Sequence, residues 1–173
     1  EVVPGNPKIP FERIAWPDAM DRFGTDKPDT RFGLEIADVG DVVRKSSFKV
    51  FSGAIEKGGT VKVLNIPGGA SLTRNELDQL EEAAKKLGAK GLAWIALHPE
   101  GAKSPILKFL SEDEVVGIKK AAAANDHDLL LFAADQWEKA CAILGEIRTL
   151  VAKKKKLIPK DKNALVWITD FPL

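Results

Sequence analysis

The stretch Pro67-Gly68-Gly69-Ala70-Ser71-Leu72-Thr73 joins the two elements that decide the fold. Before it, Thr60–Ile66 is rich in β-branched and apolar residues and predicts a strand that stops at the proline. After it, Thr73-Arg74-Asn75-Glu76 has the spacing of a capping box and predicts a helix that ends at Gly88. Gly91–Leu97 is apolar without alternation, which is typical of a strand that is covered on both faces or buried centrally.

The glycines of this turn have two interpretations. Free N–H groups ahead of a helix attract anions, so Gly68, Gly69 and Ser71 form a candidate anion-binding turn. The sequence has neither the lysine–serine pair of a phosphate loop nor a GxGxxG motif at this position. A turn that serves only the backbone is therefore the favoured interpretation.

Composition limits the classes of function. The 173 residues are 45% hydrophobic and 29% charged, with a formal charge of +1, so no global field attracts nucleic acid or a membrane. The single cysteine, Cys141, excludes an internal disulfide and fits a reducing, cytoplasmic compartment. With only His98 and His127 beside it, an ordinary zinc site is not expected. No apolar run is long enough to span a bilayer, and neither a signal peptide nor a membrane partner is expected.

Further strands are predicted along the chain. Phe48–Ile55 resembles a strand, and Gly58-Gly59 would turn it back into Thr60–Ile66 as a hairpin. Pro105–Leu110 and Asp128–Ala134 predict two more strands. A last apolar strand is predicted at 164–171.

Helix signals alternate with these strands. Pro17 occupies a typical first position of a helix that ends near Phe23. Ser111-Glu112-Asp113-Glu114 is a second capping box, and Asp135 is expected to cap a third helix. Cys141 lies on the apolar face of that third helix and is interpreted as core packing rather than as a nucleophile, since no histidine pairs with it.

These elements predict an α+β fold: a two-layer sandwich with a mainly antiparallel sheet and helices on one face. Residues 47–156 form the predicted central module. Residues 1–46 are a flanking segment before it, and residues 157–173 contain a return strand after it.

Lysines supply the candidate contacts to a nucleic acid. Lys153-Lys154-Lys155-Lys156 closes the third helix, where cations are favoured by the helix dipole and usually form a solvated face. The functional alternative is a patch that contacts phosphates, with Lys103 and Lys108 as further candidates. No aromatic residue is interleaved with the four lysines for base stacking.

Several segments in combination resemble bacterial-type aspartyl-tRNA synthetases. Arg13-Ile14 and Asp18–Gly33 resemble the segment that follows class II motif 2, and Val166–Pro172 resembles the strand on which the chain re-enters the catalytic domain. Between them lie segments similar to the insertion module of that family, the GAD domain, whose fold is DCoH-like. These segments are Phe48–Ile55, Asn65–Ser71, Gly88–Ile95, Ser104–Phe109, Leu129–Asp135 and Leu144–Arg148.

The resemblance implies a role in protein synthesis. The family joins aspartate to tRNA(Asp) with ATP and Mg²⁺, acts as a homodimer, and carries its aspartate- and ATP-binding residues in segments that this sequence lacks. No catalytic, cofactor-binding or metal-binding residue is therefore assigned here, no cofactor is expected in this part of the enzyme, and the chain alone is expected to be inactive.

The role of the module itself is left open between a tRNA-facing accessory, a purely structural insertion and a small-molecule or effector site at Pro67–Ser71. The B subunit of a tRNA-dependent amidotransferase is an alternative parent protein, although Gly24–Arg31 and Trp167–Pro172 favour the synthetase.

Overall fold

The centre of the molecule is a five-stranded antiparallel sheet. The structure is a computed structural model that describes residues 10–172. The strand order is β2-β3-β6-β4-β5, and every neighbouring pair is antiparallel. The strands are β2 (Ile36–Asp38), β3 (Thr60–Ile66), β4 (Ala93–His98), β5 (Gly101–Lys103) and β6 (Leu129–Asp135). The predicted α+β class with a mainly antiparallel sheet is confirmed.

Helices complete the sheet into a packed domain. They are α1 (Trp16–Phe23), α2 (Gly40–Val43), α3 (Lys49–Glu56), α4 (Arg74–Lys86), α5 (Glu112–Ala121) and α6 (Trp137–Lys154). The long helices α4 and α6 cover one face, as the two-layer description expects, and the shorter α2, α3 and α5 lie against the other.

The central strand β6 shows how both faces become apolar. Leu129 and Leu131 belong to the cluster under α6, whereas Leu130 and Phe132 belong to the cluster under α3. Successive side chains of a strand point to opposite faces, so a strand buried on both sides has no polar alternation. The same alternation between clusters occurs along β4, as the apolar run predicted.

A second, smaller sheet lies apart from the first. It pairs β1 (Glu12–Ala15) with β7 (Val166–Thr169) in parallel, with Glu12 opposite Val166 and Ala15 opposite Thr169. Ile14, Ala19 and Phe23 form a small buried cluster against it. The predicted last strand is thus present, and α1 begins with Pro17 in its first turn as predicted.

Both capping boxes form as predicted. The Thr73 hydroxyl accepts a hydrogen bond from the N–H of Glu76, and the Glu76 carboxylate accepts one from the N–H of Thr73. Ser111 and Glu114 do the same at the start of α5. Gly88 follows α4 with a φ of 82° and donates to the carbonyl of Lys85, which confirms the predicted helix end.

The predicted strand at Phe48–Ile55 and its hairpin are wrong. This segment is helix α3. Phe48, Phe51 and Ile55 have helical spacing, and all three pack in the apolar cluster under α3. Gly58 and Gly59 donate to carbonyls in the last turn of α3 and end that helix. The partners of β3 are β2 and β6 instead.

Two other local predictions are also wrong. Pro105–Leu110 contains a 3-10 turn at Leu107–Phe109, and the edge strand is β5. The Ser104 hydroxyl accepts a hydrogen bond from the N–H of Ile106 and starts that turn. Asp135 does not cap α6, because its backbone still belongs to the β6 ladder opposite Thr60; Gln136 occupies the cap position.

The segments on either side of the predicted module 47–156 are in close contact with it. β2 and α2 arise from the flank 1–46, and β2 forms one edge of the central sheet. β1 and β7 come from opposite flanks and pair with each other. The first nine residues of the flank and Leu173 lie outside the described residues, and the predicted boundaries stay a prediction.

Candidate functional site

Two of the predicted site groups meet at one place. The Lys155 Nζ donates to the carbonyl of Pro67 over 2.9 Å, so the end of α6 touches the glycine turn. The Lys154 Nζ lies 2.9 Å from a carboxylate oxygen of Glu76, in the first turn of α4. The Pro67–Ser71 turn, the start of α4 and the end of α6 therefore form one continuous surface, which we call the turn–lysine surface.

Two amides of the glycine turn, those of Gly68 and Ala70, already have internal partners. The N–H of Gly68 donates to the Asp128 carboxylate over 3.0 Å, and the N–H of Ala70 donates to the carbonyl of His127. Asp128 is buried and also accepts from the Asn65 side chain and from the N–H of Asn125. A resident carboxylate thus fills the role that an external anion would have at Gly68.

The glycines themselves are explained by backbone geometry. Gly68 has a φ of 63°, which favours glycine, and a Cβ on Gly69 would lie 2.8 Å from the Cβ of Leu129. The exposed Ser71 hydroxyl donates to the carbonyl of Gly68. The assignment of Gly68, Gly69 and Ser71 to an anion site stays a prediction.

Glu76 is the electrostatic centre of the turn–lysine surface. Hydrogen bonding to the N–H of Thr73, followed by the Lys154 contact, lowers the pKa of Glu76 from 4.5 to about 2. Glu76 is therefore ionised at neutral pH and holds Lys154. The side chains of Lys153 and Lys156 are exposed, and among residues 10–172 neither has an ion-pair partner within 4.0 Å.

The other two candidate lysines lie on other elements. Lys103 ends the edge strand β5, with its Nζ 3.4 Å from a carboxylate oxygen of Glu100. Lys108 lies in the 3-10 turn, with its Nζ 5.0 Å from the ring centre of Phe109. Neither side chain contributes to the turn–lysine surface through these contacts.

The most extensively bonded cation among residues 10–172 was not among the predicted site residues. Arg148, in the middle of α6, is 1% exposed. Its guanidinium donates to four main-chain carbonyls of the loop that follows α1, those of Asp29, Phe32, Gly33 and Leu34, at 2.8–3.2 Å.

The surroundings of Arg148 keep it charged despite its burial. The guanidinium lies 4.1 Å from the ring centre of Phe32 and 5.0 Å from that of Phe23. Burial lowers the pKa of Arg148 to about 10, and the charges of Asp29 and Glu35 oppose that shift. An arginine on the apolar face of a helix was the sequence signal for this role, since such a cation needs buried acceptors.

A close backbone contact reinforces the Arg148 junction. A Cβ on Gly145 would lie 2.6 Å from the carbonyl oxygen of Gly24, and a Cβ on Gly24 would lie 2.2 Å from that of Cys141. Gly24 also has a φ of 72°. Both glycines allow the end of α1 to approach α6 at backbone distance.

A second buried cation joins the flank to the sheet. Lys62 on β3 is 1% exposed and forms ion pairs with Asp21 of α1 and with Asp38 of β2. Burial lowers the pKa of Lys62, but hydrogen bonds to both carboxylates and their charges outweigh it, so the net pKa is raised. The Trp137 Nε1 donates to the same Asp21 carboxylate over 2.9 Å.

Three further features of residues 10–172 bear on function: the Cys141 thiol, the grouping of metal-binding side chains and the apolar character of the helices. Burial raises the pKa of Cys141 to about 11, so this thiol is protonated at neutral pH and packs in the core as predicted. Among residues 10–172, no group of three or more His, Cys, Asp or Glu side chains is arranged to hold a metal ion. None of the helices in this range has the length and apolar character needed to cross a membrane.

Comparison with known proteins places these features in context. Residues 51–144 match the family model described as the GAD domain. The chain is 50% identical over 166 residues to the aspartate–tRNA(Asp/Asn) ligase of Halothermothrix orenii and 46% identical over 167 residues to that of Persephonella marina. It is also 46% identical over 168 residues to the aspartate–tRNA ligase of Lactiplantibacillus plantarum. Each alignment covers 96% of this chain, and the chain spans about 28% of the length of these relatives.

Proposed function

The chain belongs to the GAD domain family, and on this basis we propose that it is the insertion module of a bacterial-type aspartate–tRNA ligase. The observation that carries the proposal is the parallel pairing of β1 with β7, in register from Glu12 and Val166 to Ala15 and Thr169. The segments before and after the module run side by side there. A host domain could therefore hold the module through two adjacent strands of its own sheet.

Exposed apolar side chains on and beside β7 support the proposal that a host domain covers this strand pair. Trp167 of β7 is 59% exposed, and Leu165 and Phe171 beside it are 45% and 52% exposed. Several large apolar side chains exposed within one short segment are typical of a surface that another part of a protein covers. We infer that the catalytic domain of the ligase covers these three side chains.

The activity of the whole enzyme follows from the proposal. The parent would be an ATP-dependent ligase, dimeric and cytoplasmic, that joins aspartate to tRNA(Asp) with Mg²⁺. The residues described here do not fit a Mg²⁺ site, because no carboxylate cluster among them has the required grouping. We therefore derive no catalytic step from this chain and expect it to be inactive alone.

This expectation has a direct assay. Exchange of labelled pyrophosphate into ATP in the presence of aspartate should stay at the blank level for the 173-residue chain. Exchange above the blank would contradict the assignment of the catalytic residues to other segments.

We propose a structural role for the module, with its orientation fixed by the two buried cations. Arg148 binds four carbonyls of the loop after α1, and Lys62 binds carboxylates of α1 and β2. Buried charges bonded on several sides favour one arrangement over others, because displacement would leave them without partners. Motion of the module relative to its flanks is thereby limited.

A second role is favoured by a separate observation, the exposure of Lys153 and Lys156 at the end of α6. In this role the turn–lysine surface contacts the backbone of tRNA. The same observation limits the contact, because Lys154 and Lys155 already bind Glu76 and Pro67. The GAD module of an amidotransferase B subunit remains an alternative parent, and the resemblance of the flanks favours the ligase over it.

The two roles are separated by measuring the binding of tRNA(Asp) across a salt series. In the tRNA-facing role, the logarithm of the affinity falls with the logarithm of the salt concentration, by roughly 0.7–0.9 per phosphate contacted. Lys153→Gln combined with Lys156→Gln should then lower the slope by roughly 1.4–1.8, the share of two phosphates, while the exposed pair Lys45→Gln and Lys120→Gln leaves it unchanged. Absence of binding at low salt would leave the structural role.

A further inference from the structure

A cleft opens in the central sheet where β4 and β6 diverge. β6 pairs with β3 along its whole length, from Leu129 to Asp135, but it pairs with β4 only as far as Phe132. Lys90–Leu92 are not paired with β6, and together with Ala133–Asp135 they line a cleft of about 640 Å³. We call this space the β4–β6 cleft.

Both apolar clusters of the domain reach the walls of this cleft. Among the residues that line the cleft, Leu92 and Trp94 belong to the cluster under α6. Phe51, Ile106 and Phe132 belong to the cluster under α3. A pocket on one face of a sheet would meet only one of these clusters. A cleft that meets both has the shape of a missing piece of strand, since a strand sends alternate side chains to the two faces.

The rim of the cleft is basic. Five cations lie along it, against the two carboxylates of Glu81 and Asp135, and they are Lys49, Lys57, Arg74, Lys90 and Lys139. Arg74 and Lys139 are paired with Asp78 and Asp135. The other three lysines are exposed, and among residues 10–172 none of them has an ion-pair partner within 4.0 Å.

We propose that the β4–β6 cleft binds an extended peptide segment that has an apolar centre and acidic flanks, and that the segment adds to β6 as a short strand. The backbone of Ala133–Asp135 supplies the free edge, the two clusters receive alternate side chains, and Lys49, Lys57 and Lys90 face the acidic flanks. Addition of a strand to a free sheet edge is a general mode of peptide recognition. This inference concerns a partner beyond the host enzyme and stands independently of the insertion role.

The cleft volume also lies within the range of small-ligand sites, so the test must separate the two kinds of ligand. A small molecule needs shape and polar groups but no backbone ladder. A strand needs backbone donors and acceptors, which proline disrupts because its nitrogen carries no hydrogen. Sensitivity to a central proline is thus specific to strand addition.

The probe is a fluorescein-labelled peptide with the sequence aspartate–glutamate–valine–isoleucine–valine–glutamate–aspartate. Fluorescence polarisation with the 173-residue chain should show saturable binding with a dissociation constant below about 1 mM at low salt. Two peptide controls are matched: one has lysine at all four acidic positions, and the other has proline in place of isoleucine. Each should bind at least roughly tenfold more weakly, a difference of about 1.4 kcal/mol.

Protein variants locate the binding site. Gly91→Phe places a side chain in the cleft without a backbone clash, since a Cβ there would lie 3.9 Å from its nearest neighbour, a carboxylate oxygen of Glu81. This variant should abolish binding while the melting temperature stays unchanged. Gly33→Phe is the matched control, because a Cβ there has no atom within 4 Å and Gly33 is not among the residues that line the cleft.

Charge reversal provides an independent check if Gly91→Phe unfolds. Lys57→Glu with Lys90→Glu should weaken binding of the acidic peptide by roughly tenfold, whereas the exposed pair Lys120→Glu with Lys160→Glu should not change it. Unchanged binding in Gly91→Phe or in the Lys57 and Lys90 pair would overturn the proposal. Equal affinity for the proline peptide, or no binding of the acidic peptide at low salt, would overturn it as well.

Discussion

Arg148 and Lys153 belong to the same helix, about one and a half turns apart, yet their surroundings are opposite. Arg148 is buried, stacks on two phenylalanine rings and binds four carbonyls. Lys153 is exposed, and the neighbouring Lys154 and Lys155 each make one contact at the surface. The role of a cation in this helix therefore depends on the acceptors around it and not on the local density of positive charge. The buried arginine binds carbonyls of the loop after α1, whereas only Lys153 and Lys156 of the four-lysine run are available to solvent or to a partner.

The largest expected effect in this comparison is that of Arg148→Met. This change keeps an apolar stem but removes the donors to the carbonyls of Asp29, Phe32, Gly33 and Leu34. Buried acceptors without partners are costly, so we expect the free energy of unfolding to fall by about 3–5 kcal/mol in urea titrations.

Arg44→Met is the matched control for Arg148→Met. Arg44 is an exposed arginine whose ion pair with Asp41 lies on the surface. Exposed ion pairs contribute little, so its loss should cost less than about 1 kcal/mol. If Arg148→Met and Arg44→Met lowered the free energy of unfolding equally, burial of Arg148 would not add to its contribution to stability.

The next largest effect is expected at the backbone contact beside Arg148. In Gly145→Ala, the new Cβ would lie 2.6 Å from the carbonyl oxygen of Gly24, so α6 and the end of α1 must separate. We expect a loss of about 1–3 kcal/mol, measured by thermal unfolding. Gly53→Ala in α3 meets no atom within 4 Å and should instead be neutral or stabilise the helix by up to about 1 kcal/mol. A neutral Gly145→Ala would refute the tight α1–α6 contact.

At the lysine-rich end of α6, the ionisation of Glu76 makes the stability of the fold depend on pH. The pKa of Glu76 in the folded state is about 2, below the ordinary 4.5, so its ionised form stabilises the fold above pH 4.5. That contribution is lost as the pH falls from 4.5 towards 2. Glu76→Gln should therefore flatten the loss of melting temperature across this range.

Lys154→Gln removes one of the two residues that lower the pKa of Glu76. It keeps the N–H of Thr73, which is the largest single cause of the lowered pKa, and the Thr73 hydroxyl. An acid dependence smaller than that of the wild type should therefore persist in this variant. A wild-type acid profile in Glu76→Gln would show that Glu76 does not titrate with unfolding.

The smallest effect on stability is expected for Lys153→Gln combined with Lys156→Gln. Both side chains are exposed at the end of α6, and surface changes of this kind usually stay within about 0.5 kcal/mol. Urea titration of the double variant beside the wild type measures the difference. A loss comparable to that of Arg148→Met would mean that the lysines support the fold and are not a free surface.

Local chemistry was the part of the fold that could be predicted. The capping boxes at Thr73 and Ser111, the helix end at Gly88 and the apolar strands β4 and β6 each depend on residues within one short window. Phe48–Ile55 was mistaken for a strand because it is apolar and β-branched, although its phenylalanines already had helical spacing. Packing of that segment on β3 and β6 decided the outcome, and such packing has no local sequence signal.

The contacts of the candidate site were harder to predict because they join distant parts of the chain. Lys155 meets Pro67 across 88 positions, and Arg148 meets Asp29 across 119. The sequence indicated a cation on the apolar face of α6 but gave no means of naming its acceptors. The internal partner of the glycine turn, Asp128, was equally hidden, because a single aspartate beside an apolar run has many ordinary explanations.

The parallel direction of β1 and β7 has a consequence for shortening the protein. Antiparallel neighbours can be joined by two residues, whereas parallel neighbours need a crossover of about a dozen or more, usually containing a helix. Everything between Ala15 and Val166 is, in this topological sense, one oversized crossover connection. A deletion variant that joined the two strands by a tight turn would reverse one of them. A short helical linker is therefore the smallest replacement that preserves the parallel direction of the two strands.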